Sequence, residues 1–61
     1  AVMAKFEIYQ DGQGEYRWRL KANNHETIAD SAEGYTAKDS CEHGVKLVKE
    51  LAADAEVEDL A

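Results

Sequence analysis

One cysteine is present in the sequence, and a lone cysteine excludes an internal disulfide. No stretch approaches the roughly 18 apolar residues of a membrane span. Cations are scarce: 7 Lys and Arg stand against 13 Asp and Glu, for a net charge of −6. An acidic balance of this kind argues against nonspecific binding to DNA or to a membrane surface. The opening residues, Ala1-Val2-Met3-Ala4, lack the basic segment and apolar run of a secretory signal. A single cysteine without a targeting segment points to the reducing cytoplasm. The acidic surplus also fits a halophilic protein, kept soluble in concentrated salt. An unfolding series in molar KCl tests that expectation, and a stability that falls as KCl is added refutes it.

Length narrows the reading further. The 61 residues make one domain, 1–61. A domain this small buries only about 60% of the surface its unfolded chain exposes. Such folds add disulfides, a metal or a partner subunit. With no disulfide and no metal-ligand spacing, a homodimer is the default expectation.

What is present is strongly patterned. Tyr16-Arg17-Trp18-Arg19-Leu20-Lys21 alternates apolar and basic residues. Successive strand side chains point to opposite faces, so Tyr16, Trp18 and Leu20 share a core face and Arg17, Arg19 and Lys21 the other. Phe6-Glu7-Ile8-Tyr9 alternates in the same way, and Asp11-Gly12-Gln13-Gly14 supplies a hairpin turn between the two strands. Phe6 and Ile8 are expected on the core side, with Glu7 near Arg17 and Arg19. Asn23-Asn24-His25 reads as a second turn, and Glu26 to Ala29 as a third strand with Ile28 as its core residue. Asp30 to Gly34 reads as a loop, with Gly34 in a backbone shape closed to residues bearing a Cβ.

A helix is expected over 36–52. Thr36 and Asp39 approximate a capping box, with Tyr35 as the apolar staple before it. Ala37, Cys41, Gly44, Val45, Val48, Leu51 and Ala52 recur at spacings of three and four, which marks the buried face. Lys38–Glu42, Glu42–Lys46 and Lys46–Glu50 are possible surface pairs. Gly44 on the buried face predicts a close approach to the sheet around Trp18. Residues Ala55 to Leu60 carry only Val57 and Leu60 as sizeable apolar side chains and read as frayed or weakly extended.

Phe6-Glu7-Ile8-Tyr9, Gly14 to Ala22, Glu33-Gly34-Tyr35-Thr36 and Ser40-Cys41-Glu42 together resemble the YegP-like family of small domains of unknown function. The resemblance runs from about Lys5 to Lys49. It implies an α+β fold, an antiparallel β-β-β-α-β unit with the helix packed on one face. Two units share one sheet with exchanged C-terminal strands. A single unit here implies a homodimer, with Ala55 to Asp59 as the exchanged strand. Asn24-His25 departs from the Asn-Gly that the family often carries at this turn. The family supplies no catalytic residues.

The chemistry on offer is sparse. Asp39, Ser40 and His43 can meet on one helix, but a nucleophilic triad also needs an oxyanion hole and a sheltered pocket. A capping-region acid beside a solvated histidine is the preferred reading. Cys41 and His43 lie two apart on a helix and do not face one another, so no metal or cofactor is expected. Cys41 falls on the apolar helix face and reads as a small buried hydrophobe. Arg17, Arg19 and Lys21, with Tyr9 nearby, form the one candidate binding surface, since an aromatic beside guanidinium groups can stack bases or grip phosphates. A solvent face balanced by Glu7, Glu15 and Glu26 is preferred over it. The expected function is therefore a non-enzymatic homodimeric binding or interaction module with an unknown protein or small-molecule partner. The alternative is a nucleic-acid-associated accessory protein using that face. A small enzyme with a site between subunits ranks last.

Overall fold

The computed structural model describes residues 3–61. Ala1 and Val2, read above as part of an opening without a signal, lie outside them. Three strands are followed by one helix: β1 (Ala4–Gln10), β2 (Tyr16–Ala22), β3 (Thr27–Asp30) and α1 (Lys38–Leu51), with a 3-10 turn over Ala52–Asp54. The strands form one antiparallel sheet in the order β1-β2-β3.

The two hairpins are built alike. Gly14 N–H donates to Asp11 O at 3.0 Å and Asp11 N–H to Glu15 O at 2.9 Å. In the second turn, His25 N–H donates to Ala22 O at 2.9 Å and Ala22 N–H to Glu26 O at 2.8 Å. Each three-residue loop ends on a left-handed residue, Gly14 at φ 82 and His25 at φ 71.

The β1–β2 register sets Phe6 opposite Leu20, Glu7 opposite Arg19, Ile8 opposite Trp18 and Tyr9 opposite Arg17. This is the division of faces that alternation predicts. Trp18 anchors the core: it is 8% exposed and meets the Phe6 ring edge-on, with centroids 5.6 Å apart. Cys41 of α1 is fully buried. Gly44 lets the helix approach closely, since a Cβ there would lie 3.4 Å from Trp18 Nε1 and 3.1 Å from Tyr35 Oη.

Several expectations need correction. Ile28 is 61% exposed, not core. Lys21 faces Thr27 while Leu20 faces Ala29, so Ile28 is the extra residue of a bulge. Ser31, expected in a loop, is buried; its N–H donates to Trp18 O at 2.9 Å and its Oγ accepts from Trp18 N–H at 3.2 Å. It continues the ladder that β3 abandons. Tyr35 forms an isolated bridge with Tyr16 through two backbone hydrogen bonds of 2.7 and 2.8 Å. That bridge holds Tyr35 extended, and the chain uses Thr36 and Ala37 to turn into α1. The helix therefore starts at Lys38 behind Ala37, with no side-chain cap, and the Thr36–Asp39 capping box does not form. Asp39 instead sits in the first turn, where the helix dipole favours an acid. Gly34 is required by proximity, not by an unusual φ: a Cβ there would lie 2.9 Å from Glu15 Cβ. The ion pairs found among the described residues lie on the sheet and its turn, so the three expected pairs along α1 are not closed.

The apolar helix face is covered only in part. Cys41 is buried, Gly44, Val45 and Val48 are half-buried, and Leu51 and Ala52 are exposed. Beyond the 3-10 turn, residues 55–61 run without secondary structure, with Val57 95% and Leu60 85% exposed.

Candidate binding surface

Tyr9, Arg17, Arg19 and Lys21 come together on the sheet face opposite α1, as strand alternation requires. The face is not a free row of cations. Arg19 Nε donates to Glu7 Oε1 at 2.7 Å, and its guanidinium lies 4.5 Å from the Tyr9 ring centroid. Arg17 Nε donates to Asp11 Oδ2 at 2.7 Å. Lys5 adds a longer contact to Glu7 at 3.4 Å. Lys21 pairs across the sheet with Lys5 and makes no ion pair among the described residues.

The titration of these groups follows from the contacts. The Arg19 hydrogen bond holds the Glu7 carboxyl below its ordinary value, against a smaller desolvation effect. Asp11 is lowered first by Arg17 and then by the backbone N–H of Glu15. The arginines are raised in return, each mainly by its carboxylate.

Glu7 was expected to balance this face and does so. Glu15 and Glu26 make no ion pair with it, and the second acid is Asp11, which alternation does not reach because it lies in the turn. Its Oδ1 accepts from the N–H groups of Gln13 at 2.9 Å and Glu15 at 3.0 Å, leaving Oδ2 for Arg17. An Asp opening an Asp-Gly turn carries that signal, because its side chain bonds the backbone ahead of it.

A second surface lies where Ile8 of β1 meets α1. Ile8 and Val45 floor an open groove of about 400 Å³, with Glu42, Lys46, Lys49 and Glu50 also lining it. On the other flank of α1, Leu47, Val48, Leu51, Ala52 and Ala55 form a shallow apolar surface.

The other candidate residues are not assembled. Asp39, Ser40 and His43 are exposed, and no hydrogen bond joins them. Burial pushes the Cys41 thiol up, with Glu42 adding to the effect, and both disfavour the thiolate. Among the described residues, no group of three or more His, Cys, Asp or Glu is placed to hold a metal ion. Among the same residues, no helix is long and apolar enough to cross a membrane.

The domain of unknown function DUF1508 matches residues 11–59. A UPF0339 protein of Neisseria meningitidis serogroup B is 56% identical over 55 residues, covering 90% of this chain and 96% of the relative. A UPF0339 protein of Agrobacterium fabrum is 53% identical over 58 residues, covering 95% and 92%. The solution structure of a protein from Haloferax volcanii superposes with a TM-score of 0.87 at 41% identity, covering 97% of this chain and 98% of the other. These similarities extend beyond the segments that carried the YegP-like resemblance and agree with it. The chain belongs to the DUF1508 family, the UPF0339 proteins, small α+β domains of unknown function.

Proposed function

We propose that the chain is a small non-enzymatic binding or interaction module that works as a homodimer. In this reading residues Ala55 to Asp59 of each subunit complete the sheet of the other. The observation that carries the proposal is the division in burial. Trp18 and Cys41 are the buried apolar side chains among the described residues, while Leu51, Val57 and Leu60 are 63%, 95% and 85% exposed. Covering a side chain of this size is worth about 1.5–3 kcal/mol. A partner that covers the second half of α1 and receives the tail supplies what a marginal single subunit lacks.

The ion pairs bear on the choice of partner. Glu7 and Asp11 neutralise Arg19 and Arg17, which lowers the field of the sheet face and favours a protein partner over nucleic acid. The groups with displaced acidity are paired on an open face or, for Cys41, sealed in the core. That distribution favours a binding role over an enzyme, which needs a perturbed group inside a pocket.

Sedimentation of the full chain and of a chain ending at Asp54 tests the reading. The full chain is expected to run as a dimer, and the truncated chain to shift towards monomer at equal concentration. A folded monomer in both cases rejects it. Titration with a fluorescent single-stranded oligonucleotide tests the alternative. Salt-sensitive binding abolished by Arg17→Ser and Arg19→Ser would favour nucleic acid.

A further inference from the structure

We propose that Lys5, Arg19 and Lys21 form a site for a single phosphate monoester on the sheet face opposite α1. The site gives the binding role proposed above a ligand chemistry, and it rests on that role but not on the dimer. Lys5 stands opposite Lys21 and Glu7 opposite Arg19, so four side chains make a square on one face. Directly opposed residues hold their Cβ atoms about 5 Å apart, and next-but-one residues of a strand lie about 7 Å apart. Three cations therefore surround one carboxylate, a local surplus of positive charge in a chain of net charge −6. Glu7 is fully engaged: its Oε1 accepts from Arg19 Nε at 2.7 Å and its Oε2 meets Lys5 at 3.4 Å. After Arg19 and Lys5, Lys21 also helps to hold that carboxyl below its ordinary value, yet it makes no ion pair among the described residues. Its neighbour on the other side is Thr27 of β3, not an acid. Like charges opposed across a sheet are unfavourable, so an anion between Lys5 and Lys21 relieves a repulsion that the fold leaves in place.

Arg19 supplies direction. The Nε bond to Glu7 and the Tyr9 ring 4.5 Å away fix its guanidinium, and among the described residues its terminal nitrogens donate no hydrogen bond. The side chain is 39% exposed, so those donors are held yet accessible. A guanidinium in this state presents a fixed fork that matches phosphate oxygens, and the two ammonium groups add charge. The rest of the face confines the ligand to one phosphate. Arg17, next along β2, is taken by Asp11, whose other oxygen is tied to backbone N–H groups. Asp30 stands opposite Arg19 on β3. Acids thus bound the square on these two sides, and a chain of phosphates meets no continuous row of unpaired cations. Three cations against one carboxylate suit the nearly doubly charged monoester better than the singly charged diester of a nucleic acid.

Titration of the isotope-labelled full chain with O-phosphoserine, followed by NMR in phosphate-free buffer at low salt, tests the assignment. Saturating shifts are expected at Lys5, Glu7, Arg19 and Lys21, with Lys38, Lys46 and Lys49 unmoved. Lys5→Gln and Lys21→Gln should each weaken binding about threefold, and Arg17→Gln should change it little. Dimethyl phosphate, a diester, should bind more weakly than O-phosphoserine. Shifts that fail to saturate, or that appear equally at the helix lysines, show an adventitious ion only and overturn the site. Equal losses from Arg17→Gln and Lys21→Gln spread the binding along the whole basic row and overturn it too, as does equal binding of dimethyl phosphate. A peptide carrying one phosphoserine identifies the source: tighter binding than O-phosphoserine points to a modified protein side chain, and equal or weaker binding to a free ester, with the site upheld in both cases. Loss of phosphate binding leaves the dimer standing, and monomeric sedimentation of the unaltered chain rejects the dimer without touching this site.

Discussion

The β1–β2 hairpin and the stretch from Leu51 to Ala61 are opposite extremes of one small molecule. In the hairpin, seven residues of each strand are paired in register, the turn is closed by backbone bonds, and its two arginines meet carboxylates. In the C-terminal stretch every residue is exposed, and the apolar side chains Leu51, Val57 and Leu60 face solvent. Both have the composition of material meant for packing. The difference is that the hairpin finds its partners within the subunit, whereas the apolar stripe of α1 extends beyond the sheet available to cover it. A three-stranded sheet accommodates the helix as far as Val48, and what lies beyond is exposed.

The hardest break in this contrast is at Trp18, the centre of the self-sufficient half. Trp18→Ala should cost about 3–5 kcal/mol, enough to unfold most of so small a domain. Loss of the cooperative transition in a urea melt at 25 °C checks it. An equivalent truncation at Val57, measured on the isolated subunit, should leave the melt unchanged.

A smaller effect separates the two hairpins. They share one turn geometry, but Gly14 takes the left-handed position at no steric cost, whereas His25 occupies it with a Cβ. His25→Gly should stabilise the protein by about 1 kcal/mol, read as a higher urea midpoint at constant slope. No gain would mean that the imidazole makes compensating contacts.

The smallest effect concerns the charged face. Glu7 and Asp11 both titrate below their ordinary values in the folded protein. Above the ordinary carboxylate range of about 4 the pairs contribute fully. As pH falls below it, the unfolded chain takes up protons first, and the contribution is lost as the folded carboxyls follow. Glu7→Gln should therefore flatten the acid limb of the stability curve and lower the neutral plateau by the same small amount. An unchanged acid limb would place the titration elsewhere.

Much of the hairpin half was legible because alternation is a local signal. The faces of β1 and β2, the glycine turn and the close approach at Gly44 follow from residue spacing alone. Ser31 and Tyr35 were not legible, because their partners Trp18 and Tyr16 lie more than a dozen residues away on β2. The bulge at Ile28 escaped for a related reason: apolar character marks a residue for a core, but register decides whether it arrives there. The capping box failed because the Tyr35 bridge shifts the helix start by two residues. On the candidate face, the cations were legible and one of their acids was not, since Asp11 acts from a turn. The helix periodicity marked Leu51 and Ala52 for the buried face, yet both are exposed, because periodicity does not say how far along the helix the sheet reaches.

Amide hydrogen exchange over Ala55 to Asp59, followed across a dilution series, tests the proposed strand exchange most directly. The account predicts protection of the inward-bonded amides in the concentrated protein and its loss on dilution, while β2 amides stay protected at both concentrations. Unprotected amides throughout 55–59 at every concentration would contradict it.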